Sequence, residues 1–86
     1  MTIKQLLDAG LLNSGELVIW TRRGLKTTHQ ATIQSDGSLL TEDGKRHRTP
    51  SGAAKHLNGN KPVDGWLAWK VKSNGLSLSD LRNKKS

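Results

Sequence analysis

Residues 16–48 read ELVIWTRRGLKTTHQATIQSDGSLLTEDGKRHR, and the punctuation of that stretch decides the fold. Glu16 to Thr21 is rich in β-branched and aromatic residues, which suit a pleated, half-buried surface. As a strand it sends Leu17, Ile19 and Thr21 to one face and Val18, Trp20 and Arg22 to the other. Arg23-Gly24-Leu25-Lys26 turns the chain into a second strand, Thr27 to Gln34, where His29, Ala31 and Ile33 alternate with Thr28, Gln30, Thr32 and Gln34. Alternation of this kind belongs to a sheet with one wet face. Two Asp-Gly steps, Asp36-Gly37 and Asp43-Gly44, bracket Ser38 to Thr41 and signal hairpins, because both residue types tolerate positive φ. The stretch is a β-meander that ends in Lys45 to Arg48.

Helices are expected on either side of it. Thr2 followed by Gln5 has capping-box spacing, and Ile3, Leu6, Leu7 and Leu11 share a helical face before Gly10 and the Asn13-Ser14-Gly15 turn. Downstream, Thr49 is placed as an N-cap, Pro50 at the first helical position and Gly59 just past the end. Ala53, Ala54 and Leu57 form the buried stripe of that helix, with Ser51, Lys55 and Asn58 along another side. Asn60 to Gly65 reads as a loop and Trp66 to Lys72 as a strand. Ser77, with Asp80 three residues on, caps a last helix whose Leu78 and Leu81 point inward. The expectation is an α+β domain, a small antiparallel β-meander sheet with about three short helices packed on it. It spans residues 1–82, with 83–86 a short basic tail.

Composition bounds the function. The chain has 86 residues, 33% of them hydrophobic, which allows one domain with a small core. The absence of Cys excludes disulfides and thiolate metal sites and fits a reducing cytosol, and no apolar run approaches a membrane span. A cytoplasmic protein with no membrane association is expected. Net charge is +7 and unevenly placed: residues 1–44 sum to −1 and residues 45–86 to +8. Such asymmetry points to a polyanionic partner.

Three features could carry binding. The helix start Thr49-Pro50-Ser51-Gly52 offers amide groups, hydroxyls and no bulky side chain, so a phosphate could approach it, with Arg46, Arg48 and Lys55 nearby. The same small residues would also let the helix lie close on the sheet, with Thr49 only a cap. Trp20, Trp66 and Trp69 are the sole aromatics. Strand alternation sends Trp66, Ala68 and Lys70 to one face and Leu67, Trp69 and Val71 to the other, which makes Trp69 the core residue and Trp66, beside Lys70, a stacking platform. Arg22 and Arg23 at a hairpin tip, like Arg46 and Arg48 on an edge strand, can reach phosphates or base edges. Charged edge strands also discourage aggregation, which is reason enough for Lys45 to Arg48. Catalytic signals are weak: His29, His47 and His56 have no metal-ligand spacing and the carboxylates are scattered. Neither an enzyme nor a cofactor is expected.

Leu6-Leu7-Asp8-Ala9-Gly10-Leu11-Leu12, the Asp-Gly hairpins, Thr49-Pro50-Ser51-Gly52-Ala53-Ala54, Asp64-Gly65-Trp66-Leu67-Ala68-Trp69 and Leu78-Ser79-Asp80-Leu81-Arg82 occur in the order of the RAMA domain, which the chain resembles over nearly its whole length. RAMA stands for restriction enzyme and adenine methylase associated. The resemblance implies a DNA-binding accessory module of restriction-modification systems that senses modified bases such as N6-methyladenine, with a methyltransferase or nuclease as partner protein. These 86 residues hold no enzyme domain and no aromatic after Arg82, so the expectation is either an independent small protein or a fragment of a larger one.

The residues and the resemblance together predict a non-catalytic module for double-stranded DNA, methylated or plain. Arg46, Arg48, Lys55 and Thr49 to Gly52 would sit on the backbone, and Trp66, Lys70, Arg22 and Arg23 near the bases. The rivals are a protein-interaction module docking on a DNA-modifying enzyme through an exposed Trp patch, and an RNA binder.

Overall fold

The structure is a computed structural model; it describes residues 2–22, 24 and 26–85, of which 84 and 85 are described for their backbone alone. The elements run α1 (Ile3–Asp8), β1 (Leu17–Arg22), β2 (Thr27–Ile33), β3 (Leu39–Thr41), β4 (Arg46–His47), α2 (Pro50–Leu57), α3 (Gly65–Ala68), β5 (Lys70–Val71) and α4 (Leu78–Lys85). One antiparallel sheet forms, in the order β4-β3-β2-β1-β5. Both Asp-Gly steps make the expected hairpins, with Gly37 at φ 89° and Gly44 at φ 82°.

Strand alternation decides what the sheet covers. Val18 pairs with Ala31 and with Val71, and Ile33 with Leu39. All five side chains are buried on one face, in a single cluster with Ile3, Leu6, Leu12, Ala53, Trp69, Leu78 and Leu81 from the helices and loops. The helices therefore cover that face. The register places Leu17, Ile19, Thr21, Thr28, Gln30, Thr32, Leu40, Arg46 and Lys70 on the opposite, open one.

Local chemistry sets the helix ends. Thr2 and Gln5 complete the capping box of α1, and Ser77 and Asp80 exchange hydrogen bonds of 3.0 Å at the start of α4. The Thr49 hydroxyl accepts the Gly52 N–H at 2.9 Å, with Pro50 at the first position of α2, as expected from the sequence.

Between α2 and β5 the structure corrects the sequence reading. The segment beginning at Trp66 is not a strand through Lys72. Asp64 caps a one-turn helix, its carboxylate accepting the Trp66 N–H at 3.1 Å, and only Lys70–Val71 is extended. The reason lies at Gly65. A Cβ there would stand 2.1 Å from the Pro50 carbonyl carbon and 2.4 Å from the Ser51 nitrogen, so the backbones of α2 and α3 touch at their first turns. The Ser51 hydroxyl accepts the Gly65 N–H at 3.1 Å, and the fully buried Trp69 ring donates Nε1–H to the Pro50 carbonyl at 3.1 Å. The helical turn changes which residues share a face: Trp69 is core, as the alternation predicts, but Leu67, expected beside it, is 60% exposed. At the C-terminus α4 runs on to Lys85, through the stretch that reads as a tail in the sequence.

These contacts give an ordered set of stabilities. Gly65→Ala would force two helix starts apart and is expected to cost about 3 kcal/mol or more, since a well-packed site has no room for an added methyl. Trp69→Phe, which leaves the buried Pro50 carbonyl without its donor, should cost about 2 kcal/mol. Leu67→Ala should stay within about 0.5 kcal/mol of the parent. Urea unfolding followed by circular dichroism measures all three, and a neutral Gly65→Ala would contradict the described packing.

Candidate nucleic-acid interface

The residues expected to meet a polyanion fall into three groups in space. At the start of α2, Arg48, Thr49 and Lys55 are exposed, while Ser51 and Gly52 are half-buried. The phosphate-ready tip expected there is already engaged: the Thr49 hydroxyl holds Gly52 N–H, the Ser51 hydroxyl holds Gly65 N–H and Pro50 has none to give. The small residues serve the close approach to α3, so of the two readings of Thr49 to Ala54 the packing one is visible in the contacts. What remains outward there is the charge of Arg48 and Lys55.

The second group lies on the open sheet face. Arg46 stands on β4 and Lys70 on β5, the two outermost strands, both exposed and separated by four strand spacings, roughly 19 Å. Arg46 has the exposed Asp36 carboxylate at 3.9 Å, a contact of little energetic consequence at the surface. Lys70 does not share a face with Trp66, as a continuous strand would have required. Trp66 belongs to α3, is half-buried against the core and carries the Arg82 guanidinium 4.7 Å above its ring. Its expected role as an open platform is corrected accordingly: one side is covered by protein and another by Arg82.

The third group is the end of the β1–β2 hairpin. Arg23 lies outside the described residues. Arg22 is half-buried; its guanidinium stacks 4.9 Å from the Trp20 ring and donates to the Asn58 side-chain oxygen at 2.7 Å and to the Leu57 carbonyl at 3.4 Å. It closes the C-terminal end of α2, where exposed carbonyls attract a cation. The His29 ring also packs against Trp20, with centroids 5.4 Å apart.

One cluster escaped the sequence reading. The Asp43 carboxylate accepts the Thr41 hydroxyl and the Lys45 N–H within its own turn, and meets His56 Nε2 of α2 at 2.6 Å. The His47 ring lies 4.9 Å from that of His56. No local spacing announces it, because Asp43 and His56 are brought together by the packing of α2 on the β3–β4 hairpin. The hydroxyl and His56 hold the Asp43 carboxyl far below the usual carboxylate range. Burial, followed by the neighbouring charge of Arg22 for His29 and of His56 for His47, holds both of those imidazoles below their ordinary value. Nε2 of each is buried without a hydrogen-bond partner. Among the described residues, no group of three or more His, Asp or Glu could hold a metal ion, and no helix is long and apolar enough to cross a membrane.

Compared with known proteins, residues 1–85 match the family model described as Restriction Enzyme Adenine Methylase Associated, RAMA. No curated protein matches the chain.

The electrostatics make a pH prediction. The unfolded chain takes up protons at His29 and His47 near pH 6.5, before the folded chain does, so stability is full above that pH and falls as the pH drops toward the lowered folded values. Melting temperature measured between pH 7.5 and 5.0 should decline, and His29→Gln combined with His47→Gln should flatten the profile. A parent profile without that decline would contradict the burial of the two rings.

Proposed function

The chain belongs to the restriction enzyme adenine methylase associated family, which ties it to restriction-modification systems, and on that premise we propose that it is a non-catalytic module that binds double-stranded DNA. One observation carries the reading: among the described residues, most of the acids are tied to turns and helix starts, while most of the exposed lysines and arginines have no carboxylate beside them. Glu16, Asp36, Asp43, Asp64 and Asp80 each accept a backbone N–H at a turn or helix start. Among the described residues, Lys4 and Arg46 are the lysines and arginines within 4.0 Å of a carboxylate. The exposed Lys26, Lys45, Arg48, Lys55, Lys61 and Lys70 have no carboxylate of the described residues within 4.0 Å, which leaves them open to phosphates that release counterions on contact. In this reading Arg46 and Lys70, which share the open sheet face, contact the phosphate backbone, Arg48 and Lys55 beside α2 add longer-range attraction, Thr49 to Gly52 hold the Arg48 region in place, and Arg22 and Trp66 act mainly through the packing they maintain. No cofactor takes part.

A finer layer is recognition of a modified base such as N6-methyladenine, supported by the family's association with adenine methylases. A second reading, a module docking on a methyltransferase or nuclease, is favoured by Leu67, 60% exposed on α3 beside the Trp66–Arg82 stack.

Duplex binding measured against salt should give a log-log slope of about −4 to −5, corresponding to about four to six phosphate contacts. Arg46→Gln with Lys70→Gln should reduce the magnitude of that slope by about 2 and weaken all sequences alike. Matched duplexes with and without N6-methyladenine read the finer layer, which equal affinities would remove. Undetectable duplex binding at low salt would falsify the DNA reading; tighter binding to an RNA of the same length would replace it with an RNA-binding one.

A further inference from the structure

Building on the proposed DNA reading, we infer that the open face of the β1–β2 ribbon enters the major groove of B-form DNA. Thr21 and Thr28 then meet base edges, while Arg46 and Lys70 rest on the two flanking backbones. The ribbon is a distinct projection of the sheet. Trp20 pairs with His29, Thr21 with Thr28 and Arg22 with Thr27, all beyond the last pairing of β1 with β5, at Ile19, and of β2 with β3, at Ala31. Past those points only two strands continue. A two-stranded ribbon is a shape that the major groove, about 12 Å wide, admits.

Charge and chemistry agree with the shape. From Leu17 to Ser35 the sequence contains Arg22, Arg23 and Lys26 and no Asp or Glu, so the projecting part is free of acids. Its open face presents the exposed side chains of Thr21 and Thr28, directly opposite each other, with Gln30 and Ile19 next along the strands. Hydroxyls and a side-chain amide can donate and accept at base edges, and the threonine methyls suit a thymine methyl. The inner face is not available for this purpose: Trp20, Arg22 and His29 are stacked there, and Arg22 is bonded to Leu57 and Asn58 of the α2 end. Arg22 is thus a positioning residue that braces the ribbon.

The flanks complete the match. Arg46 and Lys70 share the open face with the threonines but sit on the outermost strands, roughly 19 Å apart, farther than the groove is wide. Each lands on a backbone and not inside the groove, and Asp36 near Arg46 offsets that side in part.

The test uses the full chain and a random-sequence duplex of 20 base pairs, followed by fluorescence anisotropy, with circular dichroism to confirm folding. Thr28→Glu alone, and Thr21→Glu with Thr28→Glu, should weaken binding by at least about tenfold. Ser14→Glu, the same charge change in the exposed α1–β1 turn, should change it by less than about threefold. Methyl green, which occupies the major groove, should displace the protein and netropsin, which occupies the minor groove, should not. If the parent binds the duplex and both threonine variants bind as tightly, or if netropsin alone competes, the ribbon placement is wrong while the DNA reading stands. A parent that fails to bind at low salt overturns both.

Discussion

The backbone contact between Gly65 and the Pro50–Ser51 peptide is the constraint on which the rest of the structure depends. Two helix starts meet there with no side chain between them, which only glycine permits at that separation. Two hydrogen bonds then close over the contact, one from Gly65 N–H to the Ser51 hydroxyl and one from the Trp69 indole to the Pro50 carbonyl. Trp69 can sink completely into the core because its polar atom finds that partner. The Trp69 ring in turn meets the edge of Trp20 at 6.0 Å, which carries the arrangement into the sheet. Thr49, Pro50, Ser51, Ala53, Gly65 and Trp69 thus form one mechanical unit, although up to 20 positions separate them in the chain.

A division of labour between charges follows from the same geometry. A small domain has few buried contacts with which to fix its turns, and here carboxylates do much of that work at Asn13, Ser38, Lys45, Trp66 and Ser77. Each carboxylate is held by nearby N–H groups and is poorly placed to neutralise a distant lysine. Among the described residues, most of the negative charge is therefore tied to the backbone, while most of the exposed lysines have no carboxylate beside them. A net charge of +7 describes this less well than the distribution does.

The fold was largely legible in the sequence where signals are local. The β1 and β2 alternation, the two Asp-Gly turns, the capping boxes at Thr2 and Ser77 and the Thr49-Pro50 helix start all appear as read, because each depends on residues within about four positions. The stretch 64–70 was misread for a physical reason. Asp64-Gly65 has the composition of a turn, and Trp-Leu-Ala-Trp satisfies a strand pattern as well as a helical one. The choice was made by a backbone contact with residues 50 and 51, which no local pattern contains. The candidate site was less legible for the same reason. The Arg22 contact to Asn58, the Arg82 stack on Trp66 and the Asp43–His56 pair all join distant segments.

Helix α2 is fastened at both ends, by Gly65 and Trp69 at its first turn and by Arg22 at its last. Eight residues are too few for a helix to persist alone in water, so α2 owes its form to these fastenings: the hairpin end holds its last turn and the α3 corner its first.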